Sequence, residues 1–148
     1  MNPIVRLPSW REVMEGPWAL RLRAGATGAW VMRGEAEDVP ELAVRFVAGS
    51  AARTSHDALL ELRAALEVEH EPASWEELAA AIPAGPLALL ILDADRLLAD
   101  DPAQLAGLVG ALKTASERTQ LRVVFQAREL PLEAEAVLAE FGVAEILA

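Results

Sequence analysis

The segment Leu87-Ala-Leu-Leu-Ile-Leu92 constrains the fold of this chain more than any other feature of the sequence. It is apolar throughout, whereas a strand with one face in water alternates apolar and polar side chains. A continuous apolar strand is typical of the centre of a parallel sheet whose two faces are covered. The segment therefore predicts an α/β fold with a buried central strand.

Two further segments have the composition of strands. Ala43-Val-Arg-Phe-Val-Ala48 and Leu121-Arg-Val-Val-Phe-Gln126 are rich in β-branched and aromatic residues. A helix start, with Thr54 as its cap and Asp57 three residues later, separates the first strand from Leu87–Leu92. Because strands alternate with helices, right-handed crossovers favour parallel pairing. We therefore predict a small layered fold, with a mainly parallel sheet of three or more strands flanked by helices.

Two more helix starts occur in the second half of the chain. Asp101-Pro102-Ala-Gln104 predicts a helix with Asp101 as its cap and Gln104 reaching back to that cap. Pro131 begins a further helix that ends at Gly142. The residues after it, Val143–Leu147, are predicted to form an edge strand.

The N-terminal part of the chain has a different pattern. Trp18–Arg23 and Ala29–Arg33 are short strand-like segments on either side of Ala24-Gly-Ala-Thr-Gly28, whose glycines favour a tight turn. This pattern predicts a β-hairpin. We therefore divide the chain into an N-terminal extension with a β-hairpin, residues 1–42, and a main α/β domain, residues 43–148, which together form one compact unit.

Composition limits the classes of function. The chain has 148 residues, 53% of them hydrophobic, and no cysteine, so it can bury a core without disulfides and is expected in a reducing cytoplasm. The longest apolar run, Pro86–Leu92, is too short to cross a bilayer, so no membrane partner is expected. The net charge of −10 predicts no nucleic-acid partner and favours a basic one.

The patterns that could support catalysis are incomplete. Ser55-His56-Asp57 contains the residue types of a hydrolytic triad, but consecutive residues of a helix point about 100° apart and cannot form a relay. Helix-start polarity explains these residues better. His70 is the only other histidine, and a single histidine among scattered glutamates is typical of a solvated surface. We therefore expect no catalytic residues, no metal and no enzymatic activity.

A nucleotide site is a second incomplete pattern. Asp93 and Asp95 follow the apolar strand, where nucleotide hydrolases hold magnesium. A phosphate-binding loop also needs a lysine and a hydroxyl beside its glycines, and Gly25–Gly28 has no lysine. We therefore expect no cofactor. A remnant nucleotide-binding domain without a phosphate loop stays an alternative interpretation.

The most unusual stretch is the acidic segment, residues 67–77. It contains no lysine or arginine. Ser74 and Glu77 have the spacing of a capping box, and Trp75 falls in the first turn of the helix that the box predicts. A structural role explains the cap and the ring, whereas undiluted negative charge beside an aromatic residue is typical of a surface that binds a basic protein. The predicted partner-binding residues are Glu67, Glu69, Glu71, Trp75 and Glu76.

The order of these elements resembles the barstar family of intracellular inhibitors of barnase-like ribonucleases. The resemblance covers roughly residues 44–126: a strand, a helix, an acidic loop into the short helix at Ser74–Ile82, a strand opening with Pro86-Leu87, Asp93-Ala-Asp-Arg-Leu-Leu98, a helix and a third strand. The family's short helix opens with a pattern close to Gly-x-Asn-Trp/Leu-Asp-Ala-Leu, to which Ala73–Leu78 is similar.

The resemblance implies non-enzymatic binding of a basic ribonuclease or a related toxin. The Trp75 and Glu76 positions match the family's short helix, whereas Ala80 stands where the family has a second acidic residue that mimics a substrate phosphate. The chain also lacks the family's aromatic loop residue, since it contains no tyrosine. A structural or scaffolding domain that keeps this fold without inhibitory activity is the alternative from another functional class.

Overall fold

The computed structural model describes residues 10–23 and 43–146 of the chain. They form five strands and five α-helices, with short 3₁₀ turns at Gly49–Ala51 and Pro102–Gln104. In chain order the elements are α1 (Trp10–Glu15), β1 (Ala19–Arg23), β2 (Ala43–Ala48), α2 (Ser55–Ala65), α3 (Trp75–Ala81), β3 (Leu87–Leu92), α4 (Leu105–Arg118), β4 (Leu121–Ala127), α5 (Leu132–Glu140) and β5 (Ala144–Ile146).

The five strands form one sheet in the order β2-β3-β4-β1-β5, and every neighbouring pair is parallel. Leu90 of β3 lies in register with Phe46 of β2 on one side and Val124 of β4 on the other. The prediction that these three strands are neighbours in a parallel sheet is therefore confirmed. The expected edge strand after α5 is also confirmed, because β5 pairs only with β1 among the described strands.

The central strand β3 is buried as its sequence predicts. Its residues Ala88–Ile91 are all buried, because both faces of the sheet are covered. One face, which includes Leu89 and Phe125, packs in the core that α2, α3, α4 and α5 share. The other face, which includes Leu90, packs with Val13 of α1. The helices are therefore distributed unequally between the two faces.

The predicted strand at the start of the N-terminal hairpin is present as β1, but its predicted antiparallel pairing is wrong. β1 lies inside the sheet and pairs with β4 along Ala19–Arg23 and with β5 along Leu20–Leu22. Both edges of β1 are thus occupied along Leu20–Leu22, which leaves no free backbone groups there for an antiparallel partner. The proposed second strand, Ala29–Arg33, and the boundary at residue 42 lie outside the described residues.

Of the predicted helix starts, the one at Thr54 is confirmed as a cap and the one at Asp101 is not. At α2, the backbone N–H of Asp57 donates to the Thr54 hydroxyl oxygen at 3.1 Å, so the predicted cap is confirmed. At α4, the chain enters through a 3₁₀ turn and the Asp101 side chain makes no capping hydrogen bond. The predicted backward contact of Gln104 is wrong, because its side-chain oxygen accepts a hydrogen bond from Trp75 instead.

Within the described ranges, no helix is long and apolar enough to cross a membrane.

Candidate functional site

The acidic segment connects α2 to α3 and includes the first turn of α3. The backbone N–H of Glu77 donates to the Ser74 hydroxyl oxygen at 3.2 Å, and the backbone N–H of Ala73 donates to Glu77 Oε2 at 2.6 Å. The first bond satisfies an N–H group that a helix start leaves without an intrahelical partner, and the second connects the Glu77 carboxylate to the residue before the cap. Ser74 and Glu77 therefore fix the position at which α3 begins, as the capping-box spacing predicted.

The predicted binding glutamates are separated by their surroundings. Glu67 accepts a hydrogen bond from Arg45 at 2.8 Å, so its charge is partly neutralised on the surface. Glu69, Glu71 and Glu76 are exposed, and their carboxylates form no ion pair with any residue in the described part of the chain. Among the predicted binding residues, these three carry the negative charge that has no ion-pair partner in the described part of the chain.

One side of the Trp75 side chain packs against α4, and the other side is exposed at the surface. Its indole Nε1–H donates to Gln104 Oε1 at 3.0 Å, and the residue is half-buried. The ring packs so closely against Gly107 of α4 that a methyl group there would overlap it. The ring therefore fixes α3 against α4, and the sequence analysis missed both partners. A glycine in the middle of a helical pattern is the signal that could have revealed the contact.

A surface groove runs between α3 and α4 beside the acidic segment, with a volume of about 640 Å³. The sequence analysis did not predict this groove. The regular spacing of small residues along α4 was the available signal, because small side chains on one helix face leave space. The groove is lined mainly by alanines, glycines and two aromatic rings: Ala79, Ala80, Ala106, Gly107, Gly110, Ala111, Trp75 and Phe141.

A hydrogen-bonded arginine lines the far end of the groove. The Arg118 guanidinium donates to the carbonyl oxygens of Ala79 at 2.7 Å and Ile82 at 3.0 Å. Both carbonyls lie at the C-terminal end of α3, where a positive charge also complements the helix dipole. The two ends of α3 are thus attached to α4 by Trp75 and by Arg118.

The two aspartates after β3 lie in a turn that is attached to β4. The backbone N–H of Asp93 donates to Gln126 Oε1 at 2.9 Å, and Asp93 adopts a positive φ of 50°. The described residues contain no group of three histidine, cysteine, aspartate or glutamate side chains that could hold a metal ion. Gly25–Gly28, the other part of the nucleotide interpretation, lies outside those residues.

The connection between β3 and the 3₁₀ turn at Pro102 has an ion pair near its end. Arg53 Nη2 donates to Asp100 Oδ1 at 2.9 Å on the surface. The pKa of the Arg53 guanidinium is raised above its ordinary value, first by this hydrogen bond and then by the negative charge of Asp100. The arginine is therefore charged at any pH at which the protein is studied.

Comparisons with known proteins found similarity at the level of structure only. No protein-family model matches the chain, and no curated protein matches it. A chain in the structure of Drosophila ORC bound to DNA has a TM-score of 0.59 and 16% sequence identity, with 93% of this chain and 85% of that chain covered. The barstar resemblance stays a prediction.

Two further Drosophila structures contain similar chains. In ORC bound to AT-rich DNA and Cdc6 the TM-score is 0.58 at 17% identity, with 92% of this chain and 50% of that chain covered. In ORC bound to GC-rich DNA and Cdc6 the values are 0.54 and 15%, with 91% and 50% covered. At these identities the likeness shows a shared fold.

The expectation of no nucleic-acid partner is contradicted by these neighbours, because the structures that contain them are of ORC bound to DNA. The expectation rested on the net charge of −10. Net charge is a sum over the whole chain, whereas a contact with a phosphate backbone depends on the local arrangement of basic side chains. The exclusion drawn from net charge was therefore too strong.

Proposed function

We propose that this chain is a non-enzymatic protein-binding domain, and that a basic ribonuclease or a related toxin docks on its acidic segment. The observation that carries the proposal is the set of exposed carboxylates of Glu69, Glu71 and Glu76, which lack ion-pair partners among the described residues. Carboxylates without an internal partner keep their full field for an approaching molecule.

The rigid attachment of α3 supports this proposal. Glu76 lies in the first turn of a helix whose start is capped by Ser74 and whose Trp75 ring is hydrogen-bonded to Gln104. A charge on such a fixed element loses little conformational freedom when a partner binds. The resemblance to barstar, in which the corresponding short helix inhibits a ribonuclease, favours the same surface.

The test uses a purified barnase-type ribonuclease as the partner and measures association by stopped-flow fluorescence at several salt concentrations. We expect the double substitution Glu71→Gln and Glu76→Gln to slow association at low salt, and the difference from the wild type to shrink as ions screen the field. Ribonuclease activity is measured in parallel, because occupation of the enzyme's active site should reduce it.

The matched control is Glu129→Gln with Glu133→Gln, which removes the same charge from the turn after β4 and from the first turn of α5. This variant should associate more nearly at the wild-type rate than the first variant, because the field of a charge falls within about 10 Å at moderate salt. If the two variants slow association equally, only net charge matters and the acidic segment is not the docking surface. If the ribonuclease does not bind at all, the proposed partner is wrong.

A second candidate function is a scaffolding domain in an assembly that contains nucleic acid. The specific observation that favours it is the fold shared with chains of DNA-bound ORC structures over more than nine-tenths of this chain. Fluorescence anisotropy with labelled duplex DNA at low and moderate salt tests it. Saturable binding that weakens steeply with salt would favour this candidate. Contacts with the phosphate backbone release counterions from the DNA, and this release makes the affinity depend on the salt concentration. Anisotropy unchanged at every salt concentration would reject direct DNA binding.

A further inference from the structure

We infer that the groove between α3 and α4 receives an apolar side chain of the protein partner, with a neighbouring basic residue of that partner facing Glu76. The inference rests on the proposed function and names the chemistry of the segment that binds. The floor of the groove is made of small side chains, among them Ala79 and Ala111, which are largely buried. Such a floor can take a side chain from outside without rearrangement.

The shape of the groove favours a peptide segment. Its lining includes Ala106 near the start of α4 and Arg118 at the end of α4. At about 1.5 Å per residue these positions are roughly 18 Å apart along the helix axis. A volume of about 640 Å³ lies within the range of pockets that bury a ligand, but here it is spread along a helix pair.

Two polar groups that line the groove are already engaged in hydrogen bonds within the protein, which favours an apolar occupant of its floor. Trp75 already donates its indole N–H to Gln104, and the Arg118 guanidinium already donates to two carbonyl oxygens of the α3 end. Small-molecule sites need a few well-placed polar groups to orient the ligand. An apolar side chain needs none, and the exposed part of the Trp75 ring provides contact area for it.

The charges around the groove determine the orientation of the occupant. At the Trp75 end, Glu76 lines the groove and Glu71 lies five residues before Glu76 in the chain. At the other end, Lys113 and Arg118 line it together with Glu117. A basic residue of the partner is therefore complementary to the Trp75 end, so that the apolar side chain and the positive charge bind side by side.

The first experiment uses short peptides and ¹⁵N-labelled protein. N-acetyl-Phe-Arg-amide should cause saturable shifts of the Gly107 and Gly110 amide signals, with a Kd on the order of millimolar. N-acetyl-Phe-Gln-amide, in which a neutral residue replaces the arginine, should bind about twofold more weakly, as expected for the loss of one exposed charge pair. N-acetyl-Ala-Arg-amide should not saturate. If Phe-Arg causes no shifts at these glycines, or Ala-Arg causes the same shifts, the inference is wrong.

The second experiment fills the groove. Ala80→Leu with Ala106→Leu places larger side chains at two exposed helical positions that line it, and leucine is a good helix former. The shifts caused by Phe-Arg should then disappear. The matched control, Ala64→Leu with Ala136→Leu, makes the same change at exposed positions of α2 and α5 and should keep them. Thermal denaturation verifies that both variants fold, and the wild-type peptide titration remains decisive if one does not.

The two proposals fail in different ways. In the ribonuclease assay, the Ala80→Leu, Ala106→Leu variant should dissociate about thirtyfold faster, because a blocked interface pocket costs on the order of 2 kcal/mol. If the glutamate variant slows association but filling the groove leaves dissociation unchanged, the groove inference is wrong and the proposed function stands. If the ribonuclease does not bind, the proposed partner is wrong and the peptide titration alone decides the groove.

Discussion

Two groups of glutamates in this protein have the same side chain and opposite surroundings. Glu145 accepts a hydrogen bond from the buried Arg21 at 2.9 Å, Glu135 forms an ion pair with the same guanidinium at 2.9 Å, and both carboxylates also lie near Arg23. Glu71 and Glu76, by contrast, are exposed and form no ion pair within the described ranges. Position in the tertiary structure, and not residue type, therefore decides whether a carboxylate forms an ion pair within the protein.

The first group, Glu135 and Glu145, pairs with an arginine of the sheet. Arg21 lies on β1 between two neighbouring strands, and its side chain is 6% exposed. Its Nε has no hydrogen-bond partner among the described residues. The positive charge of the buried Arg21 guanidinium is therefore stabilised mainly by the two carboxylates. A buried arginine without a counter-charge is costly, which makes Glu135 of α5 and Glu145 of β5 part of what holds the C-terminal elements on the sheet.

The largest effect is expected for Arg21→Ala, which should lower the free energy of unfolding by about 2 kcal/mol. The substitution leaves two neighbouring carboxylates with only Arg23 as a counter-charge. Urea denaturation measures the loss, and Arg21→Lys should recover part of it because it restores the charge without the planar fork. A loss below about 0.5 kcal/mol would mean that this network contributes no more than an exposed ion pair.

The second effect is expected at the contact between α3 and α4. Gly107→Ala should lower stability by about 1–2 kcal/mol, because the new methyl group overlaps the Trp75 ring and forces it to move, a cost that the better helix propensity of alanine offsets only in part. The NMR signal of the Trp75 indole N–H should shift with it. Gly110→Ala is the control: its methyl group would meet Phe141 at 3.4 Å, and the better helix propensity of alanine should leave stability equal or higher. Equal losses in both variants would contradict the role given to Trp75.

A smaller effect is expected for Gln104→Ala, which removes the acceptor of the Trp75 indole N–H. The loss should be about 1 kcal/mol, because the half-buried donor can then be partly solvated. Denaturation of the single variants and of the Gln104→Ala, Gly107→Ala double variant gives the coupling. Simple additivity of the two losses would show that the hydrogen bond and the ring packing act independently.

The smallest effect is expected for Glu71→Gln with Glu76→Gln, which should change stability by less than about 0.5 kcal/mol. Neither carboxylate has an ion-pair partner within the described residues, so the fold loses no contact. Glu77→Ala is the comparison, since it removes the acceptor of the Ala73 N–H and should cost about 1 kcal/mol. If the double variant is destabilised as much as Glu77→Ala, these glutamates belong to the fold in the same way as Glu135 and Glu145.

The local signals of the candidate site were readable from the sequence. The capping box at Ser74 and Glu77 depends on residues three positions apart, so its geometry follows from the helix alone. Exposure of Glu69, Glu71 and Glu76 was expected from their charge. The position of Gln104 against Trp75 could not be predicted, because the two residues are 29 positions apart and meet only when α4 packs on α3.

The N-terminal strand shows the same limit for the fold. Its composition correctly indicated a strand at β1, but the nearest strand-like segment was chosen as its partner. Its actual partners are β4 and β5, more than a hundred residues later in the chain. Turn signals report local chain reversal, whereas pairing in a parallel sheet depends on which side of the sheet each crossover returns to.

The sequence by itself determined the class of fold, the buried central strand, the helix starts at Thr54 and Ser74, and the negative charge of residues 67–77. These properties arise from residue composition and from contacts within one or two helical turns. Only the tertiary structure decided the sheet order, the burial of Arg21 and the groove beside Trp75. Each of these depends on side chains that are distant in the chain and become neighbours when the helices pack on the sheet.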